Sequence, residues 1–472
     1  MLKNHVAELL SENLGHDATH SQEEMIEKLA GFIIPGNEMD VMLVNGYAGT
    51  GKTTLVRALV RTLDKFSQKY VLLAPTGRAA KVLSSYTGKN AYTVHKKIYR
   101  QKSAKDGLGV FVLDRNLAAN TLFVVDEASM IANQESEMKV FGTGKLLDDL
   151  IEYVYSKEGC KLVLLGDTAQ LPPVGLDISP ALDPEVLSSY DLIVHKGFLD
   201  EVVRQSQGSG ILMNATRLRK AVEKGSRHWP QFKDDFKDIQ RIQGNDLLDE
   251  ISNAYERSGM ASTIVVTRSN KRANQYNEGI RNRILWREEE IVAGDMLMIV
   301  RNNYYWTQDD PDMDFVANGD IAEIMDISGR QERYGYRFAD VTLRFHDYGS
   351  RELDVKILLD TITLESASLG FEESRQLYFN ILEDYPDIKS KKKKYEMVRE
   401  HPFYNALQVK FAYAVTCHKA QGGQWETVFV DQGYITEDMI DREYHRWLYT
   451  AVTRATKKLY LVNFSDRYFE EY

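Results

Sequence analysis

Gly46-Tyr-Ala-Gly-Thr-Gly-Lys-Thr53 is the stretch on which the fold turns. It fits the phosphate-loop pattern G-x-x-x-x-G-K-T, and its flanks have the right character. Val41-Met-Leu-Val-Asn45 before it reads as a buried strand, and from Thr54 to about Phe66 apolar residues recur at helical spacing. A loop between a strand and a helix N-terminus aims consecutive backbone N–H groups and the positive helix end at one point. Gly46, Gly49 and Gly51 let the backbone close around phosphate without Cβ clashes. Lys52 is expected to reach the β- and γ-phosphates, with Thr53 ligating Mg²⁺ and Thr50 and Thr54 completing the cradle. The chain is expected to bind a nucleoside triphosphate with Mg²⁺.

Downstream, Lys69-Tyr-Val-Leu-Leu-Ala-Pro-Thr76, Thr121-Leu-Phe-Val-Val-Asp-Glu127 and Lys161-Leu-Val-Leu-Leu-Gly-Asp167 each read as an apolar strand that runs into a loop. Alternation of strands and helices predicts a doubly wound parallel sheet, with ligands at the carboxyl ends of the strands. Asp126 and Glu127 fall at such an end. Hydrolysis of a γ-phosphate needs one acid for the metal and another to polarise water, and this pair can divide those duties.

A second alternating block starts at Ser262-Thr-Ile-Val-Val-Thr267, and Gly294–Val300 reads as another of its strands. From Asn318 to about Leu364 short strands of alternating polarity suggest a small antiparallel barrel. Asp106-Gly-Leu-Gly, followed by Val110-Phe-Val-Leu-Asp114, suggests a protruding hairpin. Tyr92-Thr-Val-His-Lys-Lys-Ile-Tyr-Arg100 interleaves bases with rings, which suits nucleic-acid contact and equally suits a plain helix surface. The run Lys389–Lys394 is read as a solvated face rather than a DNA contact.

With 472 residues the chain is too long for one core. Its net charge of −10 argues against a histone-like coating of nucleic acid but leaves room for a local basic groove. Cys160 and Cys417 are the only cysteines, so neither a disulfide framework nor a zinc cluster is expected, and a cytoplasmic setting fits. No apolar run approaches the ~20 residues of a membrane span.

Taken together, the phosphate loop, APTGRAAKVL at 74–83, TVH at 93–95, VVDEASM at 124–130 and GDTAQLPPVG at 166–175 resemble a superfamily 1 helicase. VVRQ at 202–205, AVTCHKAQGG at 414–423 and LYTAVTRA at 448–455 extend the likeness over nearly the whole chain. The wording of these motifs resembles superfamily 1B, the RecD/Pif-like branch that includes the phage Dda type. That resemblance implies two RecA-like domains, residues 1–198 and residues 199–316 with 406–472. It further implies a pin hairpin at 96–120 and an SH3-like barrel with a helical extension at 317–405. It implies ATP-driven 5′→3′ movement on single-stranded DNA and separation of forked duplex DNA. A monomer outside the membrane, with replication or repair proteins as partners, goes with it.

Roles follow by position. Gln22 resembles the glutamine that reads adenine, although spacing alone makes it a solvated helix residue. Asp126 resembles the metal acid, Glu127 the water-activating acid and Gln170 the γ-phosphate sensor. Arg204 and Arg454 resemble the arginines that stabilise the transition state. Pro75, Thr76, Thr93 and His95 fall where the first domain holds the DNA strand, and Thr416 and His418 where the second does. Phe111 is expected at the apolar tip of the pin. Gly422-Gly-Gln424 departs from the family's Gly-x-Glu and leaves a neutral side chain where a carboxylate faces the sugar. Two other readings stay open: an ATP-switched nucleic-acid-binding module without unwinding, and an RNA-directed motor on the same fold.

Overall fold

The computed structural model describes the chain apart from residues 1, 35–38, 103–109, 135–141, 203–207, 309–312, 314 and 470–472. The described residues form two compact units. One holds Met1–Ser103, Leu108–Arg227 and Asp441–Thr450, and the other holds His228–Ile440 and Ala451–Tyr472.

The first unit is built on a six-stranded sheet in the order Ala91–Thr93, Lys69–Ala74, Thr121–Val125, Lys161–Gly166, Asp40–Gly46, Ile193–Leu199. Every pairing in it is parallel. Its central strands are unbroken apolar runs because both faces are covered; Thr121–Val125 is buried at all five positions. Helices Leu2–Leu14, His20–Phe32 and Lys52–Lys65 pack on one face through Leu10, Leu29 and Leu59. Val94–Ile98 and Leu146–Tyr155 cover the other through Ile98, Leu150 and Val154. The strand order places the carboxyl ends of Thr121–Val125, Lys161–Gly166 and Asp40–Gly46 side by side.

A two-stranded hairpin, Tyr99–Lys102 against Val110–Leu113, follows helix Val94–Ile98. Its tip lies outside the described residues. Phe111 is not at that tip: it pairs with Gln101 within the strand and packs, partly buried, against the core. Side chains alternate along a strand, so an aromatic two residues from a buried-side neighbour turns inward with it.

In the second unit a five-stranded parallel sheet runs Ala414–Thr416, Thr263–Thr267, Trp425–Asp431, Ala455–Val462, Ile239–Ile242. Beside it a closed barrel takes Met296–Ile299, Ile321–Arg333, Tyr336–Phe345, Arg351–Leu358 and Leu407–Phe411. Two expectations are corrected here. Met296–Ile299 is a barrel strand and not part of the α/β sheet, and the barrel closes through a parallel pairing of Ile357 with Leu407. A four-residue apolar run carries no mark of its partner; pairing with Ile321–Glu323 decided its membership. Asp295 ties barrel to sheet: its buried carboxylate accepts Arg281 at 3.0 Å, Arg287 at 2.9 Å and the Tyr413 hydroxyl at 2.9 Å. Helices Phe371–Leu382 and Lys391–Arg399 pack on the barrel through Leu377, Ile381 and Val398. Lys391, Lys392 and Lys393 are exposed, and Lys392 stands 3.8 Å from Glu396.

Candidate active site and nucleic-acid interface

The phosphate loop leaves the buried strand Asp40–Gly46 and enters helix Lys52–Lys65. Gly49 and Gly51 hold φ of +76° and +87°, conformations in which an L side chain is strained. A Cβ on Gly46 would stand 2.9 Å from Lys52 Cγ, so that glycine is required by close approach. Gly51 caps the helix without any side-chain bond, leaving the first-turn amides facing outward. Lys52 Nζ donates to the carbonyls of Gly46 at 2.5 Å and Tyr47 at 2.9 Å, which curls its ammonium over the loop. Thr50 is fully buried, and its hydroxyl braces the loop by donating to Tyr47 O at 2.8 Å. Gly51, Lys52, Thr53 and Thr54 are half-buried.

Gln22 is fully buried, which removes the solvated reading. Its Nε2 donates to Thr50 O at 2.9 Å, and its Oε1 accepts the Thr19 amide at 3.1 Å in a capping box. It thereby locks the second helix onto the phosphate loop.

Asp126 follows its strand directly, and Oδ1 accepts the Glu127 amide at 2.9 Å. Burial, reinforced by the neighbouring Glu127 charge, pushes its carboxyl up to about 6, while the Lys52 ammonium pulls the other way. Glu127 adopts φ +53°, a left-handed conformation rare outside glycine. That turn separates two acids adjacent in sequence. On the next strand end, Asp167 accepts the Ala169 amide at 2.9 Å, and Gln170 follows. Gln170 is 5% exposed, and its buried Oε1 accepts no hydrogen bond among the described residues. A buried carbonyl left without a donor is costly unless a ligand or water supplies one.

Sequence reasoning missed Tyr449 and Thr450. The Tyr449 hydroxyl donates to Asp167 Oδ2 at 2.6 Å and accepts the Ala48 amide at 2.8 Å. Thr450 Oγ1 accepts the Leu171 amide at 2.8 Å. Both stand in LYTAVTRA, yet only the arginine of that motif was singled out. In the second unit, Arg454 is 4% exposed and donates to Gly423 O at 3.2 Å and Thr453 Oγ1 at 3.1 Å. Arg204 lies outside the described residues.

No cluster of three or more His, Cys, Asp or Glu side chains among the described residues could hold a metal ion by itself. One buried acid and one hydroxyl suit Mg²⁺ instead, which takes most of its oxygens from phosphate and water. The glycine-lined cradle and the unpartnered Gln170 carbonyl fit a bound triphosphate.

At the neighbouring strand ends, Ala74 and Thr93 are in register. Thr76 and Thr93 cap their helices, accepting the amides of Ala79 at 3.2 Å and Lys96 at 3.1 Å. Each hydroxyl proton remains available to donate to a phosphate oxygen. Pro75 and His95 are half-buried beside them. Burial holds the His95 imidazole down to about 4, so it is neutral near pH 7. The Tyr92 ring lies within 5.5 Å of Lys96 Nζ and 5.8 Å of Lys97 Nζ. In the second unit Thr416 ends its strand, buried, and His418 is exposed two residues on.

The stretch 131–150, to which sequence assigned no role, anchors the hairpin in its described part. Asp149, 1% exposed, accepts the Tyr99 hydroxyl at 2.6 Å, the Thr143 amide at 3.0 Å and the Thr143 hydroxyl at 2.9 Å. Gly142 N donates to Phe111 O at 2.7 Å.

No helix among the described residues is long and apolar enough to cross a membrane. Residues 17–228 match an AAA domain family and residues 411–462 a UvrD-like helicase C-terminal domain. The chain is 24% identical to the ATP-dependent DNA helicase dda of Enterobacteria phage T4, over 89% of this chain and 93% of that one. Over 33% of its length it is 30% identical to the ATP-dependent RecD2 DNA helicase of Deinococcus radiodurans, covering 18% of that larger protein. Its fold is similar to that of Pif1 helicase in a structure of two such helicases at forked double-stranded DNA, with TM-score 0.50 and 15% identity over 97% of this chain and 95% of that one. With family matches at both ends of the chain and a helicase relative along most of its length, the chain is similar to superfamily 1B helicases of the Dda and RecD type.

Proposed function

We propose that this protein is an ATP-dependent DNA helicase that moves 5′→3′ on single-stranded DNA and parts forked duplexes, as a monomer in the cytoplasm. One observation carries the chemistry: three adjacent strand ends bring together the phosphate loop, the Asp126–Glu127 pair and the unpartnered Gln170 carbonyl.

The backbone amides of Gly49–Thr53 and Lys52 bind the β- and γ-phosphates of ATP. Thr53 and Asp126 would hold Mg²⁺, which when bound would neutralise charge on the phosphate oxygens. Glu127 takes a proton from the attacking water, and Gln170 Oε1 accepts a hydrogen bond that positions that water. Gln22 acts on the nucleotide through the loop it braces, alongside its expected adenine contact. Arg454 and Arg204 stabilise charge that develops in the transition state. Pro75, Thr76, Thr93 and His95, and likewise Thr416 and His418, contact sugar–phosphate with little base preference. The 96–120 hairpin splits the duplex, and replication or repair proteins are the expected partners.

Lys52→Ala should fold normally and lose DNA-stimulated ATP hydrolysis. A forked DNA with a 5′ tail should be unwound in preference to one with a 3′ tail. Preference for the 3′ tail would remove the polarity, and ATP turnover without strand displacement would favour a nucleotide-switched binding module. Faster unwinding of an RNA fork would make it an RNA motor.

A further inference from the structure

Beside the phosphate loop, within the first unit, lies a cavity of about 310 Å³ that the proposed chemistry leaves unused. Tyr47 of the loop and Thr168 and Ala169, the residues just before Gln170, line it together with Arg442 and Arg446, which stand one helical turn apart. Lys52, Asp126 and Glu127 are not among the residues that line it.

Arg446 is the anomaly in this wall. It is 4% exposed, its Nε lacks any acceptor, and it forms no ion pair within 4 Å among the described residues. A guanidinium stays protonated when buried, and an uncompensated buried charge is strongly destabilising. The charged groups that face it are Arg442, which repels it, and Asp177 and Glu443, which attract it from beyond contact distance. Glu223 also lines the cavity but is already engaged, accepting the Tyr47 hydroxyl and standing 3.9 Å from Arg219. A planar fork of donors, with a second arginine one turn away and Thr168 in the same lining, suits a tetrahedral oxoanion, which it can grip with two parallel hydrogen bonds. The volume corresponds to roughly ten waters at ~30 Å³ each, room for such an ion with part of its hydration shell.

We propose that this cavity is a second anion site, in which Arg446 receives the inorganic phosphate released from the neighbouring ATP site before it escapes to solvent. The assignment of the ligand's source rests on the ATPase reading above; the site itself rests on the unpaired arginine. Asp177 is its built-in competitor, an acid at the cavity wall that attracts Arg446 when phosphate is absent.

The test is calorimetric titration of inorganic phosphate into the full chain, in a Lys52→Ala background that weakens phosphate binding at the loop. Phosphate should still bind. Adding Arg446→Gln should weaken it at least about tenfold, the scale of one lost charge-assisted hydrogen bond. Arg446→Lys should keep part of the affinity, and Asp177→Asn, which leaves the arginine in place, should tighten binding. Equal phosphate affinity with and without Arg446, or no binding in the Lys52→Ala protein, overturns the proposal. ATP turnover of the unmodified protein is measured in parallel: its absence would sink the ATPase reading while leaving the titration to judge the cavity.

Discussion

Tyr449 stands with its hydroxyl between the carboxylate of Asp167, 2.6 Å away, and the backbone amide of Ala48, 2.8 Å away. The ring is 1% exposed, and burial beside Asp167 raises its hydroxyl far above the ordinary tyrosine range, so it remains a donor at any working pH. One side chain near the end of the chain thus spans the phosphate loop and the strand end that carries Gln170.

Tyr449→Phe keeps the ring and removes both bonds. A buried carboxylate oxygen and a loop amide then lose their partner, which costs about 1–3 kcal/mol. A lower denaturant midpoint and weaker ATP binding should appear together. A variant with unchanged nucleotide affinity would show that the loop does not depend on this brace.

Glu127 couples chemistry to strain. Its φ of +53° costs about 1–2 kcal/mol for a non-glycine residue. Glu127→Gln should bind ATP normally and turn over at least about 100-fold more slowly, since general-base contributions are of that order. Glu127→Gly should be just as inactive but no less stable in thermal unfolding, because glycine adopts the turn freely. A clear loss of stability in the glycine variant would mean that the side chain, and not the backbone turn, is what the structure needs.

The hairpin hangs on Asp149. Asp149→Asn weakens its bonds to Tyr99 and Thr143 without touching the ATP site. DNA-stimulated hydrolysis should stay within about twofold of the original, while base pairs opened per ATP fall severalfold. Tyr99→Phe should reproduce the effect, and the double variant should add little more. Equal losses of hydrolysis and unwinding would argue against a hairpin-specific role. Phe111→Ala is expected to act mainly on stability, because that ring packs on the core.

His95 makes a pH dependence. Its folded value of about 4 lies below the ordinary 6.5, so between those limits the unfolded chain binds a proton that the folded chain refuses. Stability from this group is complete above pH 6.5 and falls as the pH drops towards 4, by no more than about 3 kcal/mol. Chemical denaturation from pH 7 to 4 should show a steeper decline for the original protein than for His95→Gln. Parallel declines would place the imidazole in water.

The phosphate loop, the acid pair and the parallel strands could all be read from the sequence. Each is dictated by neighbours within a few residues: glycines where φ is positive, apolar runs where a strand is covered on both faces, an acid where such a strand ends. Gln22 marks where that reasoning stops. Its spacing is that of a surface residue, and only the Thr50 carbonyl, far along the chain, makes it a buried brace.

What the sequence determined by itself was local: the loop that closes on phosphate and the order of strands and helices around it. The tertiary structure alone decided the pairings across long separations. These include Met296–Ile299 joining the barrel, Phe111 turning inward, Asp149 holding Tyr99, Tyr449 reaching Asp167 and Arg446 buried beside a cavity. The reason is physical. Backbone propensity and hydrophobic period act over a turn or a strand, whereas the partner of a buried polar group is set by where packing brings remote segments together, and residue spacing carries no record of that.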